Sequence, residues 1–378
     1  MRFWLMIALS FGLVGSAFAQ NTQQPRTDLD LRATYAPVVQ GTAPAVVNVY
    51  TRRTVRTRTR SLFDDPFFRQ FFGDVTPGQT RERVQSSLGS GVIVDPDGLV
   101  VTNNHVIDGM DQIRVVLTDR REFEAQVILA DEQTDIAILK IDAGERLPSL
   151  DFADSDEAQV GDIVLAIGNP FGVGQTVTSG IVSALSRTNV SISDFQFFIQ
   201  TDAAINPGNS GGALVDVDGR LLGVNTAIYS RSGGSNGIGF AIPGNLVQRI
   251  LSSAIGGETV VRRPWLGVTG SDIDARIASA IGLDRPRGVL IAEIYDKGPA
   301  DRAGLQEGDV ILSIDGRDIM SGEALRYRPA TGQEGDRVEI VFLRDGEERS
   351  TKAKLTYPPE DPAREETTLD GNNQLSGA

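Results

Sequence analysis

The chain has 378 residues, a formal net charge of −14 and no cysteine. A chain of this length forms about two or three domains and can bury sizeable cores. The acidic balance argues against nucleic acid as the main partner, because such binding needs a basic surface. The lack of cysteine excludes disulfides and thiolate chemistry, and a single histidine excludes a histidine-rich metal site. No metal and no cofactor are therefore expected.

The N-terminus has the features of a targeting segment. Arg2 precedes an apolar run that ends in the A-x-A cleavage pattern Ala17-Phe18-Ala19. The run is shorter than the roughly 20 residues that comfortably span a bilayer. This pattern favours a cleaved export signal over residues 1–19, with an uncleaved membrane anchor as the alternative. A flexible segment is expected over 20–36.

Short strand-like runs follow one another from residue 90 to residue 243. They are bounded by Gly and Asp turns and have almost no helical periodicity, which predicts all-β barrels or sandwiches. The series divides near 142–156, so two β units side by side are expected, and a helix is predicted to begin near Asn245. The runs are SGVIV, LVVT, IRVVL, AQVIL, DIAILKI, DIVLAIG, TVTSGIVSAL, GALVDV, RLLGVNTAI and GIGFAIP.

The segment between residues 52 and 72 departs from this β pattern. Its basic residues are interpreted as a solvated loop rather than a binding patch; they are Arg52, Arg53, Arg56, Arg58 and Arg60. Further on, Asp65 can cap a helix with Pro66 at its first position. Two i,i+4 aromatic pairs would then share one side of that helix: Phe67 with Phe71, and Phe68 with Phe72. Packing inside the barrel and docking onto another surface both remain open for these phenylalanines.

The C-terminal part changes to a mixed α+β pattern after a linker over 257–264. Predicted strands are GVLIAEI and DVILSIDG, and predicted helices are PADRAGL and SGEALRYR. A turn at Asp345-Gly346 joins RVEIVFLR to STKAKL as a hairpin. The tail over 358–378 is polar and contains proline, so it is predicted to be disordered.

Ser210 lies in the glycine-rich stretch INPGNSGGAL, which has two interpretations. The first is a turn between strands, where Gly, Asn and Ser are common. The second is a nucleophile held on a tight loop, which needs a base and a carboxylate elsewhere in the chain.

The only imidazole that can act as this base is His105, the single histidine, although a lone histidine is more often structural. Asp135, at the mouth of an apolar strand, is the candidate carboxylate, with strand capping as its alternative. The order His105, Asp135, Ser210 is that of chymotrypsin-type enzymes. It assigns histidine and aspartate to the first β unit and serine to the second, so the cleft between the units is the expected site.

The glycines around Ser210 fit an oxyanion hole, which needs backbone N–H groups aimed at one point. Gly208 can adopt dihedral angles that a Cβ would forbid. The N–H groups of Gly208 and Ser210 are the natural donors, with Asn209 between them. Ser210 is therefore expected to lie in a turn and to act as the nucleophile.

Several motifs in this order resemble the HtrA/Deg family of trypsin-like serine endopeptidases: TNNHV, TDIAILK, GNPFG, TDAAINPGNSGGAL and GIGFAIP. The resemblance covers nearly the whole chain from about Pro37 to Leu355. It implies an all-β double-barrel protease domain over 37–256, followed by an α+β PDZ domain over 265–357. It also implies ATP-independent cleavage of misfolded proteins in the periplasm, with His105, Asp135 and Ser210 as the triad.

The resemblance further implies two peptide-binding sites. The PDZ carboxylate-binding loop would be Trp265, Leu266, Gly267 and Val268, which favours an apolar peptide C-terminus; a PDZ domain serving only as a spacer is the alternative. The S1 pocket should prefer small aliphatic residues, because no acidic residue stands at the place that trypsin uses. The substrate cleft would include Ile205, Asn206, Thr226, Ala227, Ile228, Tyr229 and Ser230.

Regulatory roles are also implied by resemblance. Arg187 matches the sensor loop that relays activation to the oxyanion loop. The phenylalanine segment (Phe67, Phe68, Phe71 and Phe72) matches the loop that reaches a neighbouring subunit, so a homotrimer or a larger multiple of trimers is expected.

Three functions are weighed on these grounds. The first is an endopeptidase that takes unfolded or misfolded proteins and is regulated by C-terminal peptides at its PDZ domain. The second is a stress-sensing regulatory protease, which would contact the membrane only if the N-terminal signal stays uncleaved. The third is a non-catalytic chaperone or scaffold. An intact triad with its glycine-rich loop favours an enzyme, because a binding protein has no need of it.

Overall fold

The structure is a computed structural model that describes residues 34–58, 80–169, 174–187, 197–206, 208–228 and 235–359. The predicted export signal, the phenylalanine segment and nearly all of the predicted tail lie outside these residues. Within the described ranges, no helix is long and apolar enough to cross a membrane.

The first β unit is a seven-stranded sheet with the order β5-β4-β1-β2-β3-β7-β6. Helix α1 (Ala36–Thr42) and a 3-10 turn (Ala43–Ala45) lead into it. The alternating runs of the sequence become strands as predicted, and β4 alternates exposed and buried residues along its length. The strands are β1 (Val46–Arg58), β2 (Thr80–Asp95), β3 (Leu99–Asn103), β4 (Gln112–Val116), β5 (Glu122–Glu124), β6 (Gln126–Asp131) and β7 (Ile136–Lys140).

The basic run is a strand, so its interpretation as a loop is wrong for the part up to Arg58. Strand β1 pairs with β2 over its whole length, from Val46 opposite Val92 to Arg58 opposite Thr80. Threonine and valine alternate with arginine here, and β-branched residues favour strands. Arg52 and Arg53 are exposed, so water can solvate their positive charges within the strand.

The second β unit is a closed barrel with the order β10-β13-β12-β11-β8-β9. Helix α3 (Gly244–Ile255) follows its last strand, close to the predicted start at Asn245. Its buried face, which includes Leu246, Val247 and Ile250, packs against apolar residues of both β units. The strands are β8 (Ile163–Gly168), β9 (Thr176–Arg187), β10 (Phe198–Thr201), β11 (Ala213–Val215), β12 (Leu221–Ile228) and β13 (Gly239–Pro243). A short helix α2 (Asn104–Ile107) follows β3 in the first unit.

The C-terminal part is the expected α+β domain, with the sheet order β14-β15-β16-β18-β19 and β17 paired to β16. Ser321 caps the helix that follows β17 by accepting a hydrogen bond from the Ala324 N–H at 3.2 Å. The strands are β14 (Val268–Asp272), β15 (Val289–Ile294), β16 (Val310–Ile314), β17 (Arg317–Asp318), β18 (Arg337–Arg344) and β19 (Glu347–Lys354). The helices are α4 (Ala275–Ala280), α5 (Pro299–Arg302) and α6 (Gly322–Ala330).

The segment between α3 and β14 is tied to the first β unit through Arg263. Its guanidinium pairs with Asp131 and also donates to Gln133 Oε1 at 3.0 Å. Burial lowers the pKa of Arg263, although Asp131 acts in the opposite direction. Both side chains of the ion pair are largely buried, so the charges are satisfied by each other rather than by water.

Candidate active site

His105 lies in helix α2, directly after strand β3. Its ring Nδ1 is 2.8 Å from Asp135 Oδ2, and its backbone N–H donates to Asp135 Oδ1 at 2.9 Å. Side chain and backbone of His105 thus both contact one carboxylate. With Nδ1 engaged by the carboxylate, Nε2 is the nitrogen left to accept a proton.

Asp135 itself has an unusual backbone, with φ at 60° in the left-handed region. Aspartate tolerates this region better than most residues, but such strain costs about 1–3 kcal/mol and persists only where contacts hold it. Here the Asp135 carbonyl accepts from the Asn104 N–H at 3.1 Å and from Asn103 Nδ2 at 3.0 Å. Asp135 is therefore held in place through both its backbone carbonyl and its carboxylate.

Thr226, on strand β12, connects the serine to this pair. Its hydroxyl donates to Asp135 Oδ2 at 2.8 Å, and its carbonyl accepts from Ser210 Oγ at 3.1 Å. The structure therefore joins His105, Asp135 and Ser210 in one hydrogen-bonded network, across the two β units. The resemblance assigned Thr226 to the substrate cleft, which stays a prediction; its buried hydroxyl contacts the Asp135 carboxylate. Sequence reasoning missed this contact.

The loop before Ser210 forms a tight turn. The Asn209 N–H donates to the Asn206 carbonyl at 2.9 Å, and Gly208 has a φ of 100°. This bond closes a four-residue turn, and the positive φ at its third residue is one that glycine adopts without strain. Because the Asn209 N–H is used in the turn, Gly208 and Ser210 are the better oxyanion donors.

The other residues that the resemblance assigns to the substrate cleft differ from one another in burial. Ile205 is buried in the core of the second barrel, so its side chain is not exposed to a substrate. Asn206 is exposed, and its Oδ1 accepts from the Ser235 N–H at 3.1 Å. Ala227 and Ile228 end strand β12, while Tyr229 and Ser230 lie outside the described residues.

The candidate carboxylate-binding loop runs into the edge strand β14. The Leu266 carbonyl accepts from the Ala300 N–H at 2.9 Å, and the Gly267 carbonyl accepts from the Tyr295 N–H at 2.8 Å. Trp265 forms an isolated antiparallel β-bridge with Thr356, and Val268 is the first residue of β14. The Leu266 and Gly267 carbonyls are thus held by hydrogen bonds from elsewhere in the domain. Because a peptide unit is planar, these bonds also fix the direction of the N–H group in each of the two units.

The implied regulatory residues are only partly described. Arg187 is the last residue of β9 and is paired with Phe198 of β10. For Arg187 the structure describes the backbone alone. Phe67, Phe68, Phe71 and Phe72 lie entirely outside the described residues.

Comparison with known proteins agrees with this architecture. Residues 89–224 match the model of a trypsin-like peptidase domain, and residues 264–355 match a PDZ domain. The chain is 43% identical, over 92% of its length and 77% of the relative, to a probable periplasmic serine protease do/HhoA-like of Haemophilus influenzae. It is 40% identical to the periplasmic pH-dependent serine endoprotease DegQ of Escherichia coli, over 98% of this chain and 83% of DegQ. The chain belongs to the HtrA/Deg family of trypsin-like serine endopeptidases.

The fold of this HtrA-type protease also matches that of a solved structure. The HtrA-type protease AlgW with a decapeptide superposes with a TM-score of 0.62 at 47% identity, covering 87% of this chain and 100% of AlgW. The predicted fold class, a double β-barrel protease domain followed by a PDZ domain, is confirmed. The predictions of a serine endopeptidase of protein quality control and of a periplasmic location are also confirmed by the relatives.

Proposed function

We propose that Ser210, His105 and Asp135 carry out acyl-enzyme proteolysis in this HtrA-type protease. The supporting observation is that Asp135 Oδ2 contacts His105 Nδ1 and the Thr226 hydroxyl, while the Thr226 carbonyl accepts from Ser210 Oγ. Asp135 holds His105 in the tautomer with a proton on Nδ1. The free Nε2 is then the general base.

The first chemical step is attack by Ser210 Oγ on the scissile carbonyl carbon while His105 Nε2 takes the hydroxyl proton. Because Ser210 Oγ donates to the Thr226 carbonyl, this step requires the hydroxyl to turn from that carbonyl toward His105. The carbonyl oxygen becomes an oxyanion that accepts from the Gly208 and Ser210 N–H groups. The C–N bond then breaks as His105 gives the proton to the departing amine, and water hydrolyses the acyl-enzyme by the same route.

A fluorophosphonate probe tests the nucleophile directly. The probe reacts only with an activated serine, because the reaction needs a base to take the hydroxyl proton. We expect one labelled site in the purified full-length protein, which peptide mapping assigns to Ser210. Labelling at another serine, or none even with an added apolar-ended peptide, would contradict the proposed triad.

We further propose that the PDZ domain binds C-terminal peptides and that binding changes proteolytic activity. Strand β14 is an edge of its sheet and lies beside helix α6, so a peptide can add to β14 as a further strand. Its carboxylate would accept from N–H groups of the Trp265–Val268 loop. A small aliphatic S1 preference and a role for Arg187 in relaying activation stay predictions.

Helix α6 gives this coupling a physical route, because the same helix contacts the protease domain. Tyr327 is stacked on Phe197, with ring centroids 3.7 Å apart, and burial raises the Tyr327 pKa. Arg328 Nη1 is 2.6 Å from Asp156 Oδ2, and both side chains are mostly buried. Phe197 immediately precedes strand β10, whose neighbour β9 ends at Arg187. Motion of α6 on peptide binding would therefore reach the β9–β10 pair.

Replacing Arg328 with alanine is expected to uncouple the two domains. Removing one partner leaves the Asp156 carboxylate without its ion pair in a mostly buried site. A peptide that raises wild-type kcat by about 5–150-fold, which corresponds to roughly 1–3 kcal/mol of coupling, should raise that of Arg328→Ala by about twofold or less. Peptide-stimulated kcat and the peptide Kd are the measurements.

Arg326→Ala is the matched control on the same helix. Its side chain is exposed and approaches only Glu323 of α6, at 3.9 Å among the described residues. This variant should keep the wild-type activation ratio, since an exposed pair contributes little. If Arg328→Ala is activated as fully as Arg326→Ala, the α6 contact does not carry the coupling.

We also propose that the protease assembles as a homotrimer or a multiple of trimers. Family resemblance of the phenylalanine segment around Phe67 and Phe71 supports this proposal. Light scattering on the full-length protein measures the mass, and a monomer at assay concentration would contradict it.

A further inference from the structure

Ser90 lies in strand β2, and its hydroxyl contacts the loop over 206–210, called the oxyanion loop below. Ser90 is completely buried. Its Oγ donates to the Gly208 carbonyl at 2.6 Å and accepts from the Asn169 N–H at 2.8 Å. With its donor and one acceptor position both used, the hydroxyl cannot rotate without breaking a buried hydrogen bond.

The backbone of Ser90 holds the nucleophile as well. Its N–H donates to the Ser210 carbonyl at 2.8 Å. A Cβ at Gly211, where φ is 81°, would come within 2.1 Å of the Ser90 carbonyl, so the two chains approach as closely as glycine permits. Ser90 thus contacts both residues that supply the proposed oxyanion donors: Gly208 through its side chain and Ser210 through its main chain.

The contact with Gly208 matters because glycine does not fix its own conformation. The φ and ψ angles of Gly208 have no Cβ to restrict them, so neighbouring groups must select the conformation that aims its N–H. The peptide unit between Gly208 and Asn209 is planar, and both its polar atoms are held. Its carbonyl accepts from Ser90 Oγ, and its N–H donates to the Asn206 carbonyl.

The hydroxyl also belongs to a chain of hydrogen bonds that joins the two β units. Asn48 Nδ2, on strand β1, donates to the Asn169 carbonyl at 2.8 Å. Asn169 follows strand β8 of the second barrel and donates to Ser90 Oγ from its N–H. The oxyanion loop is therefore anchored to both strands of the β1–β2 pair.

We propose that Ser90 is a positioning residue for proteolysis: its hydroxyl holds the peptide unit between Gly208 and Asn209, so that Gly208 keeps the backbone conformation that aims its N–H at the oxyanion. This inference rests on the proposed oxyanion hole. It assigns a role in the reaction to a side chain that does not touch the substrate.

Ser90→Ala tests the proposal. The variant leaves the Gly208 carbonyl without its hydroxyl partner, and kcat should fall by about 10–100-fold, less than the 10²–10³ that follows complete loss of an oxyanion donor. KM for a peptide substrate should stay within about twofold, because the ground-state carbonyl gains little from the hole. The affinity of a peptide boronate should fall by the same factor as kcat/KM, since its tetrahedral oxygen resembles the oxyanion. A product peptide should bind as before.

Thr102→Val is the matched control. Thr102 is equally buried and its hydroxyl donates to the Ser90 carbonyl at 2.7 Å, so valine removes a hydrogen bond of the same kind at the same place. A purely structural role predicts equal losses of kcat and boronate affinity in the two variants. The positioning role predicts a selective loss in Ser90→Ala at similar thermal stability. If Ser90→Ala does not fold, Asn48→Ala tests the same chain of bonds, with a smaller loss of kcat at unchanged KM.

The outcomes separate this inference from the triad on which it rests. If Ser210→Ala is inactive while Ser90→Ala matches Thr102→Val in kcat and boronate affinity, the positioning role is overturned and the triad stands. If Ser210→Ala keeps wild-type activity, the proposed site itself is wrong and the inference fails with it.

Discussion

Ser210→Ala and His105→Ala are each expected to lower the rate of proteolysis by about 10⁴–10⁶-fold, the loss that follows removal of a triad nucleophile or base. Alanine at 210 removes the attacking oxygen. Alanine at 105 removes the only imidazole in the chain, so no second histidine can take its place. The measurement is kcat/KM on an unfolded protein substrate and on a short peptide.

The two variants should be non-additive, and this property distinguishes a triad from two independent contributions. Each loses the same nucleophilic attack, so the double variant should be no slower than either single variant by more than about tenfold. Far-UV circular dichroism and thermal unfolding provide the control, because a half-buried loop hydroxyl contributes little to stability. A well-folded Ser210→Ala that still degrades casein would refute the triad.

The strands of this protein could be predicted because their burial follows sequence alternation. In β4, exposed and buried residues alternate as the residues of IRVVL suggest, and β7 and β8 are apolar runs that are buried almost throughout. Helix α1 and strand β1 were not predicted. Helix α1 has only seven residues, with a proline at its second position. Strand β1 carries arginines at exposed positions, where a charge is tolerated.

The candidate site was predictable in its members but not in its connections. His105 and Ser210 stand in recognisable local motifs, so the sequence itself singles them out. The bonds from Thr226 to Asp135 and from Ser90 to Gly208 join residues 91 and 118 positions apart. Such contacts depend on how the two barrels pack, and no local pattern records them.

Asp135→Asn is expected to lower kcat/KM by about 10⁴-fold, because an amide cannot satisfy all of the donors that the carboxylate accepts. Oδ2 accepts from His105 Nδ1 and Thr226 Oγ1, and Oδ1 accepts from the His105 N–H. If the amide nitrogen takes the Oδ2 position, it donates to Nδ1 and leaves the proton on Nε2, where no base remains for Ser210. If it takes the Oδ1 position, it meets the His105 N–H, and two donors face each other.

Thr226→Val separates this electrostatic effect from the loss of one hydrogen bond. Valine removes the hydroxyl that donates to Oδ2 but keeps the carboxylate and both His105 contacts. Its kcat/KM should fall by about 10–150-fold, which corresponds to the roughly 1.5–3 kcal/mol typical of one hydrogen bond to a charged group. Kinetics at matched pH on both variants, with thermal unfolding to exclude misfolding, give the comparison. If Asp135→Asn loses no more than Thr226→Val, the carboxylate does not set the tautomer of His105.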